Sequence, residues 1–493
     1  MASSSGKIPW DTYTRHELFQ KYGNVVRTGP NELCFADINS IKEIYGQSAE
    51  PCLKNSFYDG FTLTGGTHSV FSSRDRAAHA RMRRLLSNGL SERGVLRVQD
   101  ELKVMIERYL DIILEQSKIR SPDKGRQRET PVIELHDLTH NLYHDIISLL
   151  SFGKSFDILA NGRKNQGAED IETYFSICPL YGTFPLARYL PFGIFKAARQ
   201  AQPRIIKFVQ SCIDDYRDRL THEKNGGAVS SQEGLLRLML EAKDEETGTT
   251  FSDEELIENA VIFILAGSGT TASTLLYLIY ELGRRPHMQR RLEKEIRDAF
   301  PEPAVFPDFD TATRLPYLNN IVQEVLRLRG PIPTTAPRLS PGKSIGGHHI
   351  PAGVTVSNLP YSTQRDATVF PDPHTFEPDR WDEPTPEMKL MNRPFSSGPR
   401  NCVGMHLARV QLFLTVVALY QRFDIEVDPS TTEEMMVLRD QGIMTPVGRK
   451  LWSSESQDSA SPPAAVSLSF LKATQGFSLA TLQKLLERPW IPK

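Results

Sequence analysis

The sequence predicts a mainly α fold with small β-sheets, on three observations. Between residues 75 and 330 apolar side chains recur at helical spacing. From Gly330 onward the chain turns rich in Pro and Gly with short β-branched runs. After Cys402 a long apolar segment without proline restores helix.

Taken in chain order, "QDELKVMIERYLDIILEQ" and "LTHNLYHDIISLLSF" read as helices, separated by polar loops such as "SPDKGRQRET" and "THEKNGGAVSSQEG". "GPIPTTAPRLSPGKSIGGHHIPAGVTV" predicts irregular chain with small strands or hairpins. "VGMHLARVQLFLTVVALYQRF" predicts a largely buried helix whose N-terminus lies at Cys402. Residues 453–493 read as a tail: "SSESQDSASPPA" has the composition of a disordered linker. A short amphipathic stretch with Leu479, Leu482, Leu485 and Leu486 follows and stops at Pro489. No internal repeat signals a solenoid or propeller.

Composition narrows the function classes. With 493 residues, 39% of them hydrophobic, the chain can bury a core large enough to enclose a cofactor. Lys plus Arg at 58 against Asp plus Glu at 60 leaves no basic surplus to recruit nucleic acid, so a small molecule is the expected partner. The cysteines Cys34, Cys52, Cys178, Cys212 and Cys402 are odd in number, widely spaced and free of C-x-x-C. That argues against a disulfide framework or structural zinc and for reduced thiols in a cytosol-facing protein. The apolar runs "VIFILAG" and "LFLTVVALY" fall short of the roughly 20 residues that span a bilayer, and "MASSSGKIPW" has no signal-peptide apolar region. A chain that is soluble or at most membrane-associated is expected.

"FSSGPRNCVG" sets one cysteine between Arg400 and two glycines. At a helix N-terminus the dipole and the unpaired amides favour a thiolate, and Arg400 adds a cation, so a lowered thiol pKa is expected. Gly398 and Gly404 leave room for backbone and a flat ligand to come close. Such a thiolate serves as nucleophile, zinc ligand or haem-iron ligand. A nucleophile wants a base, for which His406 is a candidate, although a histidine on a buried helix is more often simply packed. Zinc wants three further ligands that the sequence does not cluster. A plain buried cysteine would leave the flanking Arg and glycines without a reason.

The stretch "FSSGPRNCVG" resembles the F-x-x-G-x-R-x-C-x-G haem-binding signature of the cytochrome P-450 superfamily, at Phe395, Gly398, Arg400, Cys402 and Gly404. The resemblance implies a triangular, helix-rich domain holding haem b between a distal and a proximal helix. Cys402 would be the axial thiolate ligand and metal-binding residue. Arg400 would pair a haem propionate, and Phe395 would pack near the sulfur. The resemblance covers roughly residues 10 to 452, so 1–452 is expected to be the catalytic domain, without the N-terminal membrane anchor usual in eukaryotic members.

Three further motifs stand in the family order. In "QEVLRLRG", Glu324 and Arg327 lie three apart on a helix and can pair. A solvated surface pair would contribute little, whereas the family's E-x-x-R, joined by the arginine of "FEPDRW", here Arg380, forms a structural network. "ENAVIFILAGSGTTASTLLYLIYELG" carries two glycines and paired threonines inside an apolar helix, which weakens it. Gly267 and Gly269 would let a planar group approach, and the Thr270 hydroxyl could bond the Ala266 carbonyl four residues back. A small-residue packing notch is the plainer reading. The stretch resembles the family's A-G-x-[D/E]-T-T oxygen-binding helix, in which Thr270 would assist proton delivery. Gly269 stands where an acid is usual, so water held by Thr270 and Ser268 would substitute, or the enzyme runs chemistry without dioxygen scission. In "DRAAHARMRRLLSNGLS", His79 and Arg83 take the place of the family's W-x-x-x-R and would contact propionates, as would Arg338 in "TAPRLSP"; a solvated basic face is the alternative for "RMRR".

"KYGNVVRTGPNEL" and "LSFGKSFD" look most like fungal members that modify secondary metabolites. The resemblance implies a monooxygenase that inserts one oxygen atom of O2 into a lipophilic small molecule. NADPH electrons would arrive through a partner cytochrome reductase, with cytochrome b5 as a further donor, at the endoplasmic reticulum surface. Substrate walls would include "NSFYDGFTLTGGTHSVF", "FSICPLYGTFPLARYLPFGIF", Thr334 to Ala336, and the turn at Ile443 and Met444. Two rivals remain at this point: a haem-thiolate enzyme of rearrangement, dehydration or peroxide chemistry, and a non-catalytic haem sensor.

Overall fold

The computed structural model describes residues 12–118, 132–225, 234–333, 337–440, 443–448 and 451–455. Six helices frame the site: α1 (Arg76–Ser87), α2 (Leu135–Phe152), α3 (Gly193–Lys224), α4 (Asp253–Gly283), α5 (Pro316–Arg329) and α6 (Met405–Arg422). Their termini follow local chemistry. α4 opens on a capping box, with Ser252 and Glu255 satisfying each other's backbone amides and three acids in its first turn. α5 opens on Pro316, whose missing N–H is no loss at that position.

α4 runs through the centre, packed on α2, α3, α5 and α6. By length and composition it could span a membrane, but most of it is buried by its neighbours, as a core helix is. Between Leu256 and Leu282 the residues that are not buried all fall within 265–270, where the helix borders an internal opening.

Among the described residues the strands form four sheets, the largest of five strands. The main sheet orders 25–29, 32–35, 355–358, 338–339 and 53–54, with Glu32–Phe35 parallel to Thr355–Asn358. The strands after Gly330 were expected; the N-terminal hairpin Val25–Phe35 was not, because its runs are too short to show a period of two. Leu53–Lys54 pairs antiparallel with Arg338–Leu339, setting Lys54 opposite Arg338. Residues 453–455, assigned by sequence to the tail, belong to the strand Trp452–Glu455, whose backbone pairs with Val132–Glu134 and Ile425–Val427. The remainder of the expected tail, 456–493, lies outside the described residues, as do Thr334–Ala336 and the loop 121–130.

Candidate functional site

The cysteine loop is built locally. The Cys402 amide donates to the Phe395 carbonyl at 2.8 Å, closing the loop, and Ser396 adopts φ 62° inside it. Gly398 has φ 70°, and a β-carbon there would lie 2.0 Å from the Tyr45 carbonyl oxygen. Its role is therefore to seat the loop on Tyr45–Gly46 rather than to admit a flat ligand, as expected of it from sequence. Gly404 is the glycine that faces open space, with the Cys402 Sγ 4.0 Å away as the nearest atom to an added β-carbon. α6 starts three residues after the cysteine, at Met405.

The electrostatics differ from the sequence expectation. The thiol is pushed up, not down: burial outweighs the Gly404 amide and the Arg83 guanidinium, which both pull it down. Yet Cys402 is exposed. A residue that is both deep in the fold and exposed borders an internal cavity. The cation beside it is Arg83 rather than Arg400. Arg83 donates to the Asn401 carbonyl at 2.6 Å and to the Asn401 side-chain oxygen, so it braces the loop as well as facing the sulfur. Arg400 instead donates to the carbonyls of Ser73, Arg74 and Asp75, tying the loop to the start of α1.

Around one edge of this cavity cations crowd together. His79 is buried, and burial together with Arg400, Lys54, Arg83 and Arg338 lowers it to about 3, leaving a neutral imidazole. Arg338 is buried and donates to the Tyr58 hydroxyl at 2.6 Å. Among the described residues, Arg83, Arg400 and Lys54 have no carboxylate within ion-pair distance, and Arg400 is held down to about 10 by burial and by Arg338. Buried like charges without an anion are costly. A thiol, open space beside Gly404 and a rim of cations suited to two carboxylates fit haem.

The face of α4 toward the cavity is carried by Ala266, which is exposed, and Thr270, half-buried, four residues apart on one side of the helix. The Thr270 hydroxyl donates to the Ala266 carbonyl at 2.7 Å, and Ser268 does the same to Ile264 at 2.9 Å. Gly267 does not face a ligand. A β-carbon there would lie 3.0 Å from Ile147, so this glycine lets α4 and α2 approach. A β-carbon on Gly269 would meet Ile443 at 3.5 Å, an ordinary contact, in an apolar surrounding where the sequence pattern usually has an acid.

Glu324 and Arg327 are fully buried and bidentate, at 2.7 and 2.8 Å. The Glu324 carboxylate also accepts from Arg380 at 3.1 Å, from the Trp381 indole N–H at 2.9 Å and from the Glu377 amide at 3.0 Å. Arg327 also donates to the carbonyls of Gln364 and Pro373. This is a buried brace, not a solvated surface pair. His406, the candidate base, is half-buried near the start of α6 and lies 3.6 Å from Glu92.

Sequence reasoning missed Lys54, the cation-side place of Tyr58, which it held only within a stretch taken as a substrate wall, and Glu258. Nothing local marks the first two; their neighbours become evident only when 53–54 pairs with 338–339. Glu258 on α4 is buried and accepts from the Leu63 and Thr64 amides, both at 2.7 Å, and from the Thr64 hydroxyl at 2.9 Å. The next residue, Asn259, accepts from the Val70 amide at 2.9 Å, so adjacent side chains pin both ends of the 63–70 loop.

Comparison with known proteins agrees with this geometry. Residues 6–452 match the family described as Cytochrome P-450. The monooxygenase orf2 of Aspergillus niger is 31% identical over 445 residues, covering 88% of this chain and 86% of the relative. The monooxygenase tazI of Aspergillus terreus is 31% identical over 414 residues, 83% of this chain and 80% of the relative. The haem domain of cytochrome P-450DA superposes with a TM-score of 0.74 at 22% identity, covering 90% of this chain and 93% of that one, a likeness of fold. With a cysteine loop, a cation-rimmed cavity and a family match along nearly the whole chain, this protein belongs to the cytochrome P-450 family and is a haem-thiolate monooxygenase.

Proposed function

We propose that the enzyme inserts one oxygen atom of O2 into a lipophilic small molecule, a fungal secondary metabolite, using NADPH electrons delivered by a separate reductase. The observation that carries this reading is Thr270. Its hydroxyl spends its proton on the Ala266 carbonyl, so its oxygen faces the cavity as an acceptor that orients a water, and that water, not the hydroxyl, hands protons inward. Ser268, back-bonded in the same way, is buried and supports the helix at this point rather than lining the cavity.

When bound, haem with a cysteine thiolate beneath it supplies the redox chemistry of oxygen activation, the established property of this ligation in the family. Cys402 would hold the iron, with the Gly404 amide and Arg83 stabilising the charge on sulfur. Phe395 fixes the height of the cysteine through its carbonyl. His79, Arg338 and Arg400 would take the propionates, and Arg83 would act mainly on the loop and the sulfur. Glu324, Arg327 and Arg380 hold the core on the cysteine side. The monooxygenases similar to this chain come from fungi, and that is the support for a fungal metabolite as substrate.

A membrane-surface location at the endoplasmic reticulum, facing the cytosol, is part of the proposal. Its support is one apolar run in which Phe184, Leu186, Tyr189, Phe192 and Ile194 are all exposed, Leu186 to 80%.

The test is turnover of a host metabolite extract by purified protein, reductase and NADPH under heavy dioxygen, with mass spectrometry of what changes. A product carrying one heavy oxygen is expected. An unlabelled isomer or dehydration product would overturn the insertion step. Thr270→Ala is expected to divert electrons to hydrogen peroxide, by about tenfold or more relative to product.

A further inference from the structure

Beyond the cavity α4 carries a run of hydroxyls, and one of them breaks the pattern of the rest. Ser268, Thr270, Thr271 and Thr274 each donate to the carbonyl four residues back, at 2.9, 2.7, 3.4 and 2.9 Å. Ser273 does not bond Gly269 in this way; its hydroxyl is fully buried and has no partner among the described residues. One turn on, the Tyr277 hydroxyl is in the same condition, and burial pushes it well above the ordinary tyrosine value, so it stays a neutral donor and acceptor. The neighbouring chain supplies a third. Ile443 faces Gly269, and Thr445, two residues on in the strand Met444–Pro446, lies on the same side with its hydroxyl oxygen buried and unpartnered. Pro446 pairs with Leu438, whose carbonyl accepts from Tyr13, and Tyr13 acts on the charge of Tyr277. The strand therefore runs beside α4 from Gly269 toward Tyr277, with Thr445 between them.

This seam continues the cavity face of the helix. At about 3.6 residues per turn, Ala266, Thr270, Ser273 and Tyr277 fall within an arc of about 60°. The next turn brings Glu281, 2% exposed, whose carboxylate accepts from Arg285 at 2.5 Å and Arg329 at 2.7 Å. Both guanidiniums are half-buried, so that end of the stripe reaches solvent, and Arg329 stands over the Tyr277 ring, 5.4 Å to the centroid. Bare hydroxyls in a core are costly, and ordered water is what commonly completes them.

We propose that Ser273, Thr445 and Tyr277 hold buried water and form a proton path along α4, from the Glu281–Arg329 end to the water at Thr270, in place of the acid that position 269 lacks. The proposal rests on the monooxygenase reading, in which that water hands protons inward. Each hydroxyl relays by accepting a proton on a lone pair as it releases its own, so it ends unchanged and neutral, and solvent at the Arg285 and Arg329 end replaces each proton delivered. Ser273, Thr445 and Tyr277 are positioning residues here, acting through water rather than on the substrate.

Two measurements on the haem-loaded protein test it. A crystal structure of the wild type is expected to show ordered waters within about 3.2 Å of Ser273 Oγ, Thr445 Oγ1 and Tyr277 Oη. A dry seam, or Ser273 turned onto the Gly269 carbonyl, overturns the path. The second measurement follows heavy-oxygen product and hydrogen peroxide per NADPH consumed, with host metabolite extract as the source of substrate and a reductase as electron donor. In Ser273→Ala and Tyr277→Phe the product share is expected to fall about fivefold, the worth of one hydrogen bond, with peroxide rising to match. The solvent deuterium isotope effect on product formation is expected to grow in both, a change that a purely structural role would not produce. Thr445→Val interrupts the path from another element and should act in the same direction, so the test does not hang on the folding of one variant. Wild-type product share and isotope effect in all three variants overturn the proposal, waters or not. A wild type that forms no heavy-oxygen product overturns the monooxygenase reading itself, and this proposal with it.

Discussion

Glu324→Gln is a sharp test of the buried brace. The wild-type carboxylate accepts from two nitrogens of Arg327 at 2.7 and 2.8 Å, from Arg380, from the Trp381 indole and from the Glu377 amide, with no exposure at either Glu324 or Arg327. An amide of the same shape removes the anion facing two buried guanidiniums and turns an N–H2 group toward other donors. Removing one partner of a buried pair costs about 3–5 kcal/mol. With an unfolding entropy of about 2.1 cal/mol/K per residue, a domain of this size loses about 1 °C of Tm for each kcal/mol. The expected fall is about 3–5 °C, measured by calorimetry on haem-loaded proteins at one scan rate. The Soret band of the folded variant should stay in place, because no atom of this network reaches the cysteine loop. A fall below about 1 °C would refute the reasoning that losing the Glu324 anion leaves the Arg327 and Arg380 guanidiniums uncompensated in the core.

Two further outcomes follow from local geometry. Gly398→Ala places a β-carbon 2.0 Å from the Tyr45 carbonyl at φ 70°, so the loop must shift, and purified protein should carry less than about half the wild-type haem; full loading would show that the loop yields freely. Glu258 has its carboxyl raised from 4.5 to about 7 by burial, opposed by the Thr64 and Leu63 donors and by Arg188. Because the folded value is raised, its stabilising contribution is whole below about 4.5 and is lost as the pH rises toward 7, about 3 kcal/mol at about 1.4 kcal/mol per tenfold. Glu258→Gln should therefore gain Tm relative to wild type between pH 5 and pH 8, read by thermal scans at both; parallel curves would remove the claim.

What the sequence determined by itself was whatever is settled within a few residues. The cysteine loop closes between Phe395 and Cys402, the Thr270 hydroxyl reaches Ala266 one turn back, and Glu324 meets Arg327 three residues on, so each is legible as a local pattern. Tertiary structure alone decided the rest, because burial and long-range pairing have no local signature. It turned Gly267 toward Ile147 and seated Gly398 on Tyr45. It set Arg83 rather than Arg400 beside the sulfur, and raised a thiol that its position at a helix start would lower. It also buried Lys54 opposite Arg338 through a strand pairing between distant stretches of chain. A charge read from sequence has a sign but no dielectric, and the dielectric is what the fold supplies.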